Sequence, residues 1–242
     1  MARQSIKKNA LESVAFYNKD MQKEIKERKF VESHMKKALD NNEFIIYLQP
    51  KFSISSGEAV GYEALVRWQS PERGMIYPGG FIPLFEENGF ITKLDAYVWE
   101  CACMVLRDWI DRHFTPLPIS VNVSRANLDD ESFLNVLDGL IEKYRLPKHL
   151  LELEITESIE NDTTLRMTEK IKEHGFILLM DDFGSGYSSL NTLQDTKFDV
   201  LKLDREFFST HMSNDRGKKI IMHTISMSKD VGCLLYTSDA AD

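Results

Sequence analysis

Six short runs in this chain have strand-like apolar character, several of them with polar or charged residues at alternate positions, and that pattern restricts the fold more than any other feature. They are FIIYLQ (44–49), GYEALVRW (61–68), ISVNV (119–123), LLELEI (150–155), FILLMD (176–181) and DVLKLD (199–204). Amphipathic stretches over 91–112, 130–144, 161–174 and 215–229 lie between or after them and predict helices. Strand–helix units of this size predict a parallel sheet closed as an α/β barrel. Along a strand, residues two apart share a face. Glu63, Leu65 and Arg67 therefore share one face of their strand, opposite Ala64, Val66 and Trp68. Asn122 opposes Val121 and Val123, Glu152 and Glu154 oppose Leu151, Leu153 and Ile155, and Lys202 and Asp204 oppose Leu201 and Leu203. Burying such a polar row is costly unless its members pair or bind something. Several of these residues fall near strand C-terminal ends, where parallel barrels assemble their sites.

The stretch FILLMDDFGSGYSSL (176–190) carries the strongest chemical signal. A buried-looking strand runs into adjacent carboxylates, Asp181 and Asp182, and then into a glycine-containing turn. Taken alone it reads equally well as a solvated Asp-Asp turn before a helix. Together with Glu63, Asn122 and Glu154, however, the two aspartates offer enough oxygen ligands for two hard divalent cations. Such a pair can activate water and stabilise an in-line displacement at phosphorus. Lys202 is suited to orient that water, and the planar fork of Arg67 to clamp a phosphate oxygen. The competing reading is a set of interior ion pairs in which Lys202 and Arg67 only balance acids. Five strands with one arrangement favour a site.

Composition removes other classes. A formal net charge of −8 opposes binding of a nucleic-acid polymer through a basic surface. No apolar run reaches the ~18 residues of a membrane span, and MARQSIKKNALES has no apolar signal core. Cys101, Cys103 and Cys233 lack metal-ligand spacing and suggest a reducing, cytoplasmic setting. Residues 13–40 are dense in mixed charge, with Glu24 and Arg28 four apart, and read as a charged connector helix.

YLQPKF, GYEALVRW, FIPLFEENGFI, SVNVS, LELEITES, LLMDDFGSGYSSL and FDVLKLDREF occur in the order seen in EAL domains, and residues 43–230 resemble that family. The resemblance implies a modified (β/α)8 TIM-type barrel whose first strand runs antiparallel to the others. It implies hydrolysis of cyclic di-GMP to linear 5'-pGpG with two Mg2+ or Mn2+ ions. By motif, Glu63, Asn122, Glu154, Asp181 and Asp182 correspond to metal ligands, with Glu63 and Lys202 as catalytic residues. Gln49, Leu65 and Arg67 correspond to dinucleotide contacts, and Glu157 to an acid that steadies the loop beginning DFGSGYSS. The family also implies a homodimer through the complete barrel.

Two departures shape the expectations for this chain. Residues 1–40 are similar to the end of a GGDEF domain and its linker, so a longer parent is expected, with further N-terminal domains that could carry a membrane anchor. After the last helix the family continues into strands bearing AEGVE-type and QGY- or QGF-type motifs, whereas this chain reads DVGCLLYTSDAAD. The expected division is therefore a connector (1–40), an EAL domain lacking its last two strands (41–232) and a non-native tail (233–242), with the polypeptide catalytically silent. The alternative function is a non-catalytic cyclic di-GMP receptor or protein-interaction module.

Overall fold

Each of the six apolar runs forms a strand and each of the four amphipathic stretches a helix in the computed structural model. The structure describes residues 19–54, 56–156, 162–183, 193–194, 196–203 and 214–238. In chain order the elements are α1 (Lys19–Asp40), β1 (Phe44–Ser53), β2 (Ala59–Ser70), β3 (Gly74–Ile76), α2 (Ile82–Asn88), α3 (Ile91–Asp111) and β4 (Ile119–Asn122). There follow α4 (Arg125–Leu128), α5 (Ser132–Tyr144), β5 (Leu151–Thr156), α6 (Asp162–Glu173), β6 (Ile177–Phe183), β7 (Val200–Leu203), α7 (Asp215–Asp230) and β8 (Leu234–Ser238). None of these helices is long and apolar enough to cross a membrane.

The described residues divide into two compact units, one up to Phe44 together with Arg67–Asn88, the other Ile45–Val66 and from Gly89 onward. The first is built on aromatic packing. Phe44, Trp68, Phe81 and Phe85 are all buried, and the Phe44 and Trp68 ring centroids lie 5.2 Å apart. The Trp68 indole donates to the Glu43 carboxylate at 3.0 Å, which satisfies the one polar atom of that ring system. β3 pairs antiparallel with the end of β2, Trp68 opposite Ile76.

The second unit is a closed barrel. β2, β4, β5, β6, β7 and β8 follow one another as parallel neighbours, and β1 pairs with both β8 and β2. β1 is antiparallel to β8, so the first strand runs against the rest as expected. Helices cover the strands through apolar faces: Leu94, Val98, Ala102 and Leu106 on α3, and Phe133, Leu137, Leu140 and Ile141 on α5, are buried. Strand residues opposite the charged row, such as Val121, Leu153 and Leu201, are fully buried.

The expected open edges are corrected here, and of the two strands expected to be missing one is present. Seven strands form the ring, and β8 closes it from residues read as a tail. Lys202 lies beside Tyr236 on one side of β8, and Ser53 beside Tyr236 on the other. Two unpaired strand edges would leave backbone donors and acceptors without partners, and LLYTS, with two leucines, an aromatic and a β-branched residue, is suited to pair with them. Gly232, at φ 79°, makes the left-handed turn between α7 and β8, a conformation that suits a residue without Cβ. Tyr236 is 9% exposed and packs with Leu179 and Val200. Tyr236→Ala should then cost about 3 kcal/mol and lower Tm by about 6–12 °C in a circular-dichroism melt. An unchanged melt would show that β8 contributes nothing to closure.

Candidate active site

The barrel interior gathers the alternating charges into one cluster. β7 carries Lys202, whose Nζ donates to Glu63 Oε2 of β2 at 2.7 Å and Glu154 Oε2 of β5 at 3.0 Å. The same ammonium lies 2.9 Å from Asp181 Oδ1 of β6. Ligand oxygens of Glu63, Glu154 and Asp181 all fall within 4.8 Å of one another. On the other side of Glu154, Lys51 of β1 donates to Glu152 Oε2 at 2.6 Å and lies 3.7 Å from Glu154 Oε1. Glu154 is thus held between two ammonium groups, and neither its side chain nor that of Lys51 is exposed at all. Space around Lys51 is tight: a Cβ at Gly61 would stand 2.9 Å from the Pro118 carbonyl oxygen and 3.2 Å from Lys51 Cε.

Electrostatics follow from that crowding. Burial raises the pKa of Glu63 and nearby Glu154 raises it further, against the opposing pull of Lys202. Burial, with added repulsion from Glu154, Asp182 and Glu63, pushes Asp181 up to about 7, although Lys202 pulls the other way. Burial also acts to raise Glu154, but Lys202 and Lys51 outweigh it and hold this carboxyl below its usual range. Burial would lower Lys202, yet Glu154, Glu63 and Asp181 raise it well above the ordinary lysine value.

Four carboxylates, Glu63, Glu152, Glu154 and Asp181, face two ammonium groups, which leaves two negative charges in excess when all are ionised. Glu154 Oε1 is buried and accepts no hydrogen bond. An excess charge of this size and a bare buried carboxylate oxygen fit a divalent cation with oxygen ligands. The cluster is therefore a group of buried acids that could hold a metal.

The other predicted residues are placed unequally. Asn122 ends β4 in register with Glu154, and its Nδ2 donates to Glu63 Oε1 at 3.5 Å, so it joins the rim of the cluster. Asp182 is exposed and lies outside the trio. The β6–β7 register shifts between Met180 and Phe183, and Asp182 has φ 56° with its N–H donated to Asp181 Oδ1. A bulge re-aims side chains, and here it separates two adjacent acids, one inside and one at the mouth. Gln49 is half-buried with an Nε2 that has no hydrogen-bond partner, and Leu65 is half-buried on the face of Glu63. Arg67, further along β2 in the other unit, stacks its guanidinium 5.5 Å from the Tyr77 ring centroid. Glu157 and the loop from Gly184 to Asn191 lie outside the described residues. Lys51 and Glu152 were not among the predicted site residues. The available signal was their spacing, two residues from Gln49 and from Glu154 respectively.

Residues 32–237 match the EAL domain family, most of the chain. The chain belongs to that family. Among curated relatives, this EAL domain is 35% identical over 219 residues to a signaling protein of Caulobacter vibrioides, covering 89% of this chain and 27% of that one. It is 35% identical over 202 residues to the cyclic di-GMP phosphodiesterase NbdA of Pseudomonas aeruginosa, covering 82% of this chain and 26% of NbdA. The chain therefore spans about a quarter of the length of these two relatives. Among solved structures, the PaMucR phosphodiesterase in its c-di-GMP complex superposes with TM-score 0.77 at 28% identity, over 85% of this chain and 84% of that one.

The raised Asp181 carboxyl gives the EAL domain a pH signature. Between its ordinary 3.8 and about 7, the folded protein holds a proton that the unfolded chain has released. This group's contribution to stability is therefore complete at low pH and falls as pH rises through that window. In metal-free protein, the Tm of Asp181→Asn relative to the parent should rise between about pH 5 and about pH 8. A difference independent of pH would contradict the assignment.

Proposed function

We propose that this EAL domain binds cyclic di-GMP and hydrolyses one of its phosphodiester bonds, releasing 5'-pGpG. The observation that carries the reading is the convergence of Glu63, Glu154 and Asp181 on the single ammonium of Lys202 inside the barrel. The phosphodiesterase activity named for NbdA, and the c-di-GMP named in the PaMucR complex, support the substrate class.

Glu63, Glu154 and Asp181 would hold one Mg2+ or Mn2+ ion, with Asn122 and the exposed Asp182 offering oxygens toward a second at the mouth. Divalent cations there would supply Lewis acidity, activating a water and neutralising charge on the phosphoryl oxygens. Lys202 now spends its donors on the three acids; when their charge is otherwise neutralised, those protons are free to orient the attacking water. Gln49 offers its unpartnered amide and Leu65 an apolar contact to the dinucleotide, and Arg67 a fork for phosphate. β8 contributes no carboxylate where the family resemblance places a glutamate, so cation retention and turnover are expected to be weak.

The alternative, a receptor without turnover, draws on the same ammonium: Lys202 already satisfies all three acids as an interior ion network. Incubation with cyclic di-GMP and manganese, followed by chromatography, separates the two. Slow pGpG formation that stops with a chelator and is lost in Asp181→Asn supports hydrolysis. Lys202→Ala should then reduce turnover about a hundredfold while dinucleotide affinity is kept. Binding without pGpG selects the receptor, and failure to bind the dinucleotide removes both readings.

A further inference from the structure

Asn122 ends a strand whose following backbone is tied down group by group. Its own carbonyl oxygen accepts from the Trp99 indole Nε1 of α3 at 3.1 Å. The next residue, Val123, donates its N–H to the Glu154 carbonyl at 2.9 Å. Ser124 donates its N–H to Asp95 Oδ2, also on α3, at 3.0 Å. The same Asp95 oxygen accepts from Asn127 Nδ2 at 2.7 Å, and Asn127 reaches back to Ser124 Oγ at 3.3 Å. Three consecutive residues are thus anchored to two neighbouring elements.

The anchors are themselves fixed. Trp99 is 1% exposed and packs its ring 5.9 Å from that of Phe133 on α5. Asp95 and Asn127 are each 7% exposed. A carboxylate buried to that extent is stable only where donors face it, and the β4–α4 turn supplies a backbone N–H and a carboxamide. Asp95 and Trp99 lie four apart, one helical turn, so they present a single surface to the turn.

We propose that Asp95 and Trp99 are positioning residues that set the direction of the Asn122 carboxamide toward the cation site. The inference rests on the reading of Asn122 as a metal ligand. The orientation of a short side chain follows its backbone, and the peptide plane that follows Asn122 is held at both of its polar groups: the Asn122 carbonyl by Trp99, and the Val123 N–H by Glu154. The Val123 bond also links two ligand-bearing strands at the level of the site, since Asn122 and Glu154 are register partners. Asp95 then stops the chain from swinging at Ser124, the first residue beyond β4 and Val123.

The test is calorimetric titration of manganese into the metal-free chain for the parent, Trp99→Phe, Asp95→Asn, Asn122→Ala and the two pairwise combinations with Asn122→Ala. Trp99→Phe keeps an aromatic ring and deletes one N–H, and Asp95→Asn keeps shape and one acceptor. Each should weaken manganese affinity by about tenfold, as outer partners of metal ligands do. In the Asn122→Ala background neither should cause a further loss, because the group they direct is gone. A merely structural role would lower Tm in every background and leave affinity unchanged, and that outcome overturns the proposal. Losses that add to that of Asn122→Ala overturn it as well. If Asn122→Ala alone leaves affinity intact, the ligand reading fails and this proposal with it; an impaired Asn122→Ala beside unimpaired Asp95→Asn and Trp99→Phe overturns the positioning role alone.

Discussion

The need to neutralise charge in a dry interior governs the rest of this structure. Glu63, Glu152, Glu154 and Lys51 are at most 5% exposed, as is Lys202, and their pairing depends on four different strands. Removing one member of such a group leaves an uncompensated buried charge, at a cost of about 3–5 kcal/mol. Register and charge therefore enforce each other. A slip of one residue in β7 would turn Lys202 outward and Leu201 or Leu203 inward, stranding three acids. Glu154 sits at the centre of this arrangement, 3.0 Å from the Lys202 ammonium and 3.7 Å from that of Lys51.

Much of the site was legible because a strand has period two. That rule put Glu63, Glu154 and Lys202 on faces opposite their leucines, and the barrel brings those faces together. It could not say which of Asp181 and Asp182 turns inward, since adjacent residues alternate and either choice is consistent. The bulge after Met180 and the left-handed backbone at Asp182 decide it, and both depend on pairing with β7. Arg67 obeys the alternation along β2, but where its guanidinium goes is set by Tyr77, a contact no periodicity encodes.

Lys51 and β8 were less readable for a different reason. A lysine after Pro50 is ordinarily solvated, and only the acids of β5 make its burial tolerable. LLYTS carries neither a charge pattern nor a glycine motif, so its residues suit a strand without announcing one, and the two edges it joins fix its place. Its Tyr236 ring lies 5.8 Å from Lys51 Nζ, an aromatic face toward a cation that the sequence places 185 residues away.

Seven strands also fix how much room the lumen has. Barrel diameter grows roughly in proportion to strand number, so this ring has a circumference about one-eighth smaller than an eight-stranded one. Gly61 marks where that space runs out: even a methyl group there would meet the Pro118 carbonyl and the Lys51 stem. Volume, as much as charge, therefore limits which sequences can line this lumen. A substitution that preserves every ionic contact can still be rejected because the wall opposite it has nowhere to move.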